Sequence, residues 1–230
     1  MNLKSSLAFI CLSIACMGQA SHAAIQAMAT RIIYDAPDAA ATLTIKNNVS
    51  KPYMVQTWLE NSQGETKRLP IIVVPPLLKL DAGKESILRF IYSGQGLPNN
   101  QESLFWINIQ EIPPTATEKN VLQLAIRTRI KLFYRPKEVK TSLDDAVKQL
   151  NWFIDGQQLK VMNPSPLHVT IGVVKLNGKT VENLAQDMVA PHQTITVLKD
   201  MPASITNLGF TYINDYGGAT TIPIAEIHRK

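Results

Sequence analysis

Residues Asn120 to Pro136 read NVLQLAIRTRIKLFYRP, and at a period of two the run separates into two faces. Leu122, Leu124, Ile126, Thr128, Ile130 and Leu132 fall on one side; Gln123, Ala125, Arg127, Arg129, Lys131, Phe133 and Arg135 fall on the other. Such alternation predicts a β-strand, and Pro136, which lacks a backbone N–H, ends it. The strand is too long for an ordinary sheet. At about 3.3 Å per residue it spans about 50 Å, whereas a usual strand has about 5–6 residues. The surplus leaves apolar side chains and backbone groups without partners, so it either aggregates or is offered to another chain. We take the second reading.

The first residues of the 230-residue chain are set apart by their own pattern. Lys4 supplies a positive start, Leu7 to Ala15 an apolar stretch, and Ser21-His22-Ala23 small residues for cleavage. Residues 1–23 therefore read as a secretory signal peptide, too short to span a membrane. Both cysteines, Cys11 and Cys16, lie inside it, so the mature chain from Ala24 has none. An exported protein without disulfides must hold together through its own core, which excludes a small disulfide scaffold. The 45% hydrophobic composition allows that core. The formal net charge of +5 drops by one with the loss of Lys4. The basic residues are scattered, without an aromatic-and-basic motif, so nucleic acid is not an expected partner.

Short β-rich runs divided by turn residues fill the rest. Strands are predicted near Thr42–Asn47, Tyr53–Glu60, Ile71–Val74, Ser86–Ile91, Leu104–Glu111 and Val121–Tyr134. A second set follows near Leu150–Ile154, Gln158–Met162, His168–Leu176, Thr180–Asn183, Thr194–Leu198, Gly209–Ile213 and Thr220–Ile227. Asn177-Gly178 marks a hairpin turn. No long segment has helical periodicity, and the charged stretch Lys137–Val147 reads as a hinge. The expectation is an all-β protein of two seven-strand sandwiches, residues 24–140 and 141–230.

Catalytic and metal-binding constellations are missing from the pattern. His168, His192 and His228 pair with no His, Cys or carboxylate at metal-ligand spacing. Gly178-Lys179-Thr180 lacks the upstream glycine of a phosphate loop, since Val173 stands there. Asp144-Asp145 reads as a solvated pair beside the hinge. No enzyme activity, cofactor, metal or small-molecule substrate is expected.

Leu97 to Pro114, LPNNQESLFWINIQEIPP, resembles the signature segment of PapD-like periplasmic chaperones of the chaperone–usher pathway. Thr30-Arg31, the run Ile130 to Pro136 (IKLFYRP), and Tyr212 to Gly218 (YINDYGG) are similar to that family too, in the family's order. The resemblance implies two immunoglobulin-like β-sandwiches set at an angle around a cleft that binds pilus subunits. A subunit is an incomplete sandwich, and the chaperone lends it a strand until an outer-membrane usher takes over. It further implies that Leu122, Leu124 and Ile126 enter the subunit's groove, with Asn120 at the end of the row. Arg31 and Lys131, with Thr30 as a weaker candidate, match the groups that hold the subunit's C-terminal carboxylate. Glu102, Arg135 and Asp215 correspond to an ion network between the domains. The short Thr115–Asn120 connection is similar to the short-loop branch, builders of rod-like pili. Periplasmic location and self-capping oligomers in the unloaded state belong to the same expectation.

Two other classes fit the residues less well. A pilus or adhesin subunit needs an N-terminal donor extension, yet only seven residues precede Arg31 in the mature chain. A sugar-binding or hydrolytic sandwich lacks a supporting carboxylate pair.

Overall fold

The computed structural model describes residues 23–116, 121–201 and 205–229. Residues 1–22 of the expected signal peptide, Asn120 and most of the Thr115–Asn120 connection lie outside the described residues.

Nine strands build the first sandwich: β1 (Ile25–Ala27), β2 (Arg31–Asp35), β3 (Ala41–Asn47), β4 (Tyr53–Asn61), β5 (Ile71–Val74), β6 (Leu77–Leu80), β7 (Glu85–Tyr92), β8 (Ser103–Ile112) and β9 (Arg127–Arg135). One sheet runs β1-β3-β7-β5 and the other β2-β9-β8-β4-β6. Their inner faces meet in a core around Leu43, Ile45, Val55, Leu88, Phe90, Ile107 and Leu132. Strict alternation causes this: β3 buries Ala41, Leu43 and Ile45 and turns the residues between them outward.

A short helix, α1 (Leu143–Lys148), opens the second unit. It is followed by β10 (Asn151–Asp155), β11 (Gln158–Met162), β12 (Val169–Leu176), β13 (Lys179–Thr180), β14 (Met188–Val189), β15 (Thr194–Leu198), β16 (Leu208–Ile213), β17 (Ala219–Ala225) and β18 (Ile227–Arg229). The sheets are ordered β15-β11-β10-β18 and β13-β12-β16-β17, with β14 also on β12. Trp152, Leu159, Leu167, Ile171 and Leu208 fill the space between them. Between β12 and β13, Asn177 and Gly178 both take positive φ, 52° and 78°, the conformation of the predicted hairpin turn. Two immunoglobulin-like sandwiches with separate cores are thus the architecture.

The count of seven strands per domain is corrected to nine among the described residues. The additions are short, such as β1, β6, β14 and β18, or edge pieces such as β2, whose five residues alternate too briefly to stand out. Thr180–Asn183 shrinks to Lys179–Thr180. The hinge is also corrected, because α1 packs Leu143, Ala146 and Val147 into the second core. Ser142 caps it, accepting a hydrogen bond from Asp145 N at 3.1 Å, a signal that outranks periodicity in six residues. Asp144 is not merely solvated, since its carboxylate accepts a hydrogen bond from the Tyr212 hydroxyl.

The most consequential correction concerns the long strand. Its ladder begins at Arg127, not Val121. Strand β8 ends at Ile112 and is followed by Pro113-Pro114, which cannot donate, so the partner runs out. The last backbone bond joins Glu111 N to Ile126 O at 3.0 Å. Beyond it, residues 121–126 belong to no strand of their own protein. One apolar row therefore splits in two: Ile130 and Leu132 are buried, while Leu124 is 67% and Leu122 85% exposed.

Candidate functional site

Strands β2 and β9 run parallel, with Arg31 opposite Lys131 and Asp35 opposite Arg135. Directly opposed residues share a face, so the two cations stand side by side at the first rung of the pair. Both reach toward the second domain. Arg31 Nη1 donates to Ile213 O at 3.0 Å, and Lys131 Nζ donates to Thr170 Oγ1 at 3.4 Å. Aromatic faces back them: the Arg31 guanidinium is 5.8 Å from the Phe133 ring, and Lys131 Nζ is 5.5 Å from Trp106.

This pair is short of negative charge. Among the described residues neither cation forms an ion pair with a carboxylate, and Arg31 Nε is buried with no hydrogen-bond partner. Burial lowers the pKa of Arg31, against the opposing charges of Asp215 and Glu102. Burial likewise lowers that of Lys131; Asp187 resists, and the charge of Arg31 adds to the depression. Two half-buried like charges with spare donors form a site for an anion, since an incoming carboxylate would satisfy both at once.

Just beyond, Arg135 binds the two domains together. Its Nη1 and Nη2 donate to Asp215 at 2.9 and 3.1 Å, a bidentate fork, while Nε and Nη2 donate to Glu102 Oε1 at 3.3 and 3.1 Å. The Glu102 side chain is 1% exposed. Although burial works against the Arg135 charge, its hydrogen bonds to Asp215 and Glu102 and their charges raise its pKa overall. Arg135 is therefore a permanent cation.

The turn after β16 presents Asp215. Asn214 Oδ1 accepts from Tyr216 N and Gly218 N at 3.1 and 2.9 Å and closes that turn. Gly217 takes φ +84°, and a Cβ there would collide with the Thr30 hydroxyl, so the two domains touch through a missing side chain.

The sequence reading missed one member of this junction. His168 donates its backbone N–H to Glu102 Oε2 at 2.8 Å and places Nδ1 3.0 Å from the same oxygen. Buried Asn163 holds the preceding segment, donating to Leu167 O at 2.7 Å and accepting from Ser165 N at 3.0 Å. Metal-ligand spacing along the chain does not reveal a histidine whose partner lies 66 residues away on another domain.

The structure brings together Arg31 and Lys131, and it joins Glu102, Arg135 and Asp215. Thr30 is exposed beside Gly217 at the same mouth. Leu122, Leu124 and Ile126 project away from the core, and Asn120 lies outside the described residues. Beside β9, an open groove of about 1020 Å³ is bordered by Ala29, Thr30, Thr128, Arg129 and Ile130. Among the described residues no cluster of His, Cys, Asp or Glu has metal-ligand geometry, and no helix is long and apolar enough to cross a membrane.

Comparison with known proteins matches both halves to family models. Residues 24–140 match the pili and flagellar-assembly chaperone PapD N-terminal domain, and residues 145–223 match the pili assembly chaperone PapD C-terminal domain. The chain is 34% identical over 219 residues to the probable fimbrial chaperone LpfB of Escherichia coli O157:H7, covering 94% of each. Among solved structures it resembles the Salmonella enterica SafA pilin in complex with the SafB chaperone, with TM-score 0.79 and 30% identity over 90% of this chain and 99% of that one. The periplasmic chaperone SfaE is similar as well, with TM-score 0.73 and 32% identity over 90% of this chain and 100% of the other.

Proposed function

The chain belongs to the PapD family of pili assembly chaperones, and from that premise we propose that it caps pilus subunits by lending residues 121–126 as their missing strand. One observation carries the reading. An apolar row that is buried at Ile130 and Leu132 continues outward through Ile126, whose carbonyl accepts the last backbone bond from β8, to the exposed Leu124 and Leu122. Burying those three side chains in a subunit's groove releases about 1.5–3 kcal/mol for each one fully removed from water. That exceeds the net contribution of the accompanying backbone bonds, about 1 kcal/mol apiece.

Register comes from the cations. Strand β2 covers the edge of β9 only from Lys131 onward. A subunit strand laid along the open upstream edge must stop there, and its terminal carboxylate meets Arg31 and Lys131. A shift of one residue would turn every donated side chain to the wrong face, so a fixed end fixes the whole pairing. Thr30 at the mouth adds a hydroxyl to the same contact, and Asn120 ends the donated row. Glu102, Arg135 and Asp215 hold the angle at which the two domains present the site.

In this reading residues 1–23 direct export to the periplasm, 24–140 form the strand-donating domain and 141–230 its partner. An outer-membrane usher receives the loaded subunit. Unloaded copies cover their apolar rows against one another as self-capping oligomers. The work is assembly, with no bond made or broken.

The test is recovery of a soluble complex with the pilus subunit encoded beside this chain. Arg31→Ala and Lys131→Ala each leave the chaperone folded and abolish co-purification. Unchanged yield from both variants rejects the anchor.

A further inference from the structure

The outer face of the second domain carries a hollow that capping leaves unused. Strand β16 is flanked there by two irregularities. On one side Ile171 pairs with Tyr212 and Val174 with Phe210, so Gly172 and Val173 together oppose Thr211. On the other, Leu208 pairs with Ala225 and Phe210 with Ile222, so Pro223 and Ile224 together oppose Gly209. Both are β-bulges, which bend a strand and re-aim its side chains. Glycine is required beside each. A Cβ on Gly209 would sit 2.7 Å from the Pro223 carbonyl oxygen, and one on Gly172 would sit 2.5 Å from Thr211 Oγ1. That hydroxyl is already fixed, because it accepts from Val173 N at 2.8 Å.

The bulges leave a trough of about 390 Å³ across β12, β16 and β17, within the about 300–1,000 Å³ of small-molecule sites. Gly209 is buried at its bottom and has no side chain to fill it, while Val173 and Pro223 supply apolar walls. Charge in the trough has one sign. Lys175 lies directly opposite Gly209 in the ladder, and opposed residues share a face. Asn207 faces the same way, two residues before Gly209 on an extended stretch. Among the described residues no aspartate or glutamate lines the trough, and the side chains of Lys175, Asn207 and Thr221 have no ion pair or hydrogen bond. A carboxylate at this end would accept from the ammonium and the amide together. From β12 to β17 is two strand spacings, about 10 Å, a width that suits flat fused rings between Val173 and Pro223. A protein partner needs about 800 Å² on each side, far more than one trough offers.

We propose that this trough binds a small planar aromatic carboxylate, with the ring between Val173 and Pro223 and the carboxylate on Lys175 and Asn207. The site is separate from the cleft cations and from the donated strand, and it stands or falls independently of capping.

The test is titration of the isotope-labelled chaperone with naphthoate, with its neutral amide naphthamide and with the non-planar cyclohexanecarboxylate, followed through backbone amide shifts. Naphthoate is expected to move the amides of Gly209, Thr211 and Thr221 and to saturate below about 1 mM. Naphthamide and cyclohexanecarboxylate each bind at least about fivefold more weakly. Lys175→Gln lowers the affinity for naphthoate about fivefold and leaves that for naphthamide unchanged, which a general loosening of the sheet would not do. Thr221→Trp fills the trough and abolishes the shifts. If Thr221→Trp fails to fold, Lys175→Gln decides alone, because that exposed side chain has no partner among the described residues. Equal affinity for naphthoate and naphthamide, undiminished naphthoate binding by Lys175→Gln, or no movement of these amides at about 1 mM overturns the inference.

Discussion

Exchanging one leucine of the split row for aspartate, and comparing it with a second leucine further along the same strand, separates capping from folding. Leu124 is 67% exposed and Leu132 is fully buried at 0%. Removing a leucine entirely from water is worth about 1.5–3 kcal/mol, so about two thirds of that, roughly 1–2 kcal/mol, is still available to Leu124 on capping. Leu124→Asp forfeits this gain and also forces an unpaired carboxylate into an apolar groove, at a cost of several kcal/mol. The sum is at least about 3 kcal/mol, which weakens the subunit complex more than about a hundredfold. The free chaperone changes by no more than about 0.5 kcal/mol, as for an ordinary surface substitution. Leu132→Ala does the reverse. It opens a cavity costing about 2–5 kcal/mol of folding stability, which lowers the melting temperature by about 10 °C. The assays are thermal denaturation of the purified chaperone and quantitative capture of the co-expressed subunit. A large fall in melting temperature for Leu124→Asp, or undiminished capture by it, refutes the reasoning.

The remaining predictions concern the cleft and the junction. Lys131→Met removes a half-buried cation that forms no ion pair among the described residues, so the free chaperone becomes more stable at neutral pH while subunit capture is lost. Because burial lowers the lysine pKa from its ordinary 10.5, the folded state disfavours the charged form. The wild-type penalty is full below the lowered value and fades as the pH rises toward and past 10.5, so melting curves of the two proteins converge in alkaline buffer. Arg135→Ala leaves Glu102 with His168 alone among the described residues and strips Asp215 of its ion pair, costing about 3–5 kcal/mol and widening the spread of inter-domain angles seen by small-angle scattering. His168→Phe keeps a ring beside Phe133 but removes the side-chain contact with Glu102, and lowers stability by a smaller amount, about 1.5–3 kcal/mol. Equal losses from the two variants would falsify this ranking.

Alternation is a local property, and it was legible wherever a strand was long and half-buried. β3, β4, β8 and the downstream part of β9 all follow the residue pattern closely. Short elements were not legible. β2 offers five residues and α1 six, too few for a period to repeat, although α1 carried a capping serine. The cleft cations show the same division. Nothing near Arg31 in the chain distinguishes it from any surface arginine, and only the parallel pairing of β2 with β9 sets it beside Lys131. The resemblance to a known family supplied both positions; the residues by themselves did not. His168 lay beyond either route, because its relation to Glu102 exists only where two domains meet.

The chain by itself determined that the segment from Leu122 to Leu132 has one apolar face and one polar face, for that follows from the order of the side chains and the two-residue repeat of an extended backbone. It did not determine where along that face the protein's own core ends. Tertiary structure decided this, because Pro113 and Pro114 halt the neighbouring strand and leave Ile126 as the last residue with a backbone partner. Upstream of that point the apolar row faces solvent; downstream its Ile130 and Leu132 are sealed inside. The same packing left two cations together with no carboxylate paired to either among the described residues. An unfilled strand position and an unneutralised charge are both properties of assembled neighbours, and no single stretch of sequence contains them.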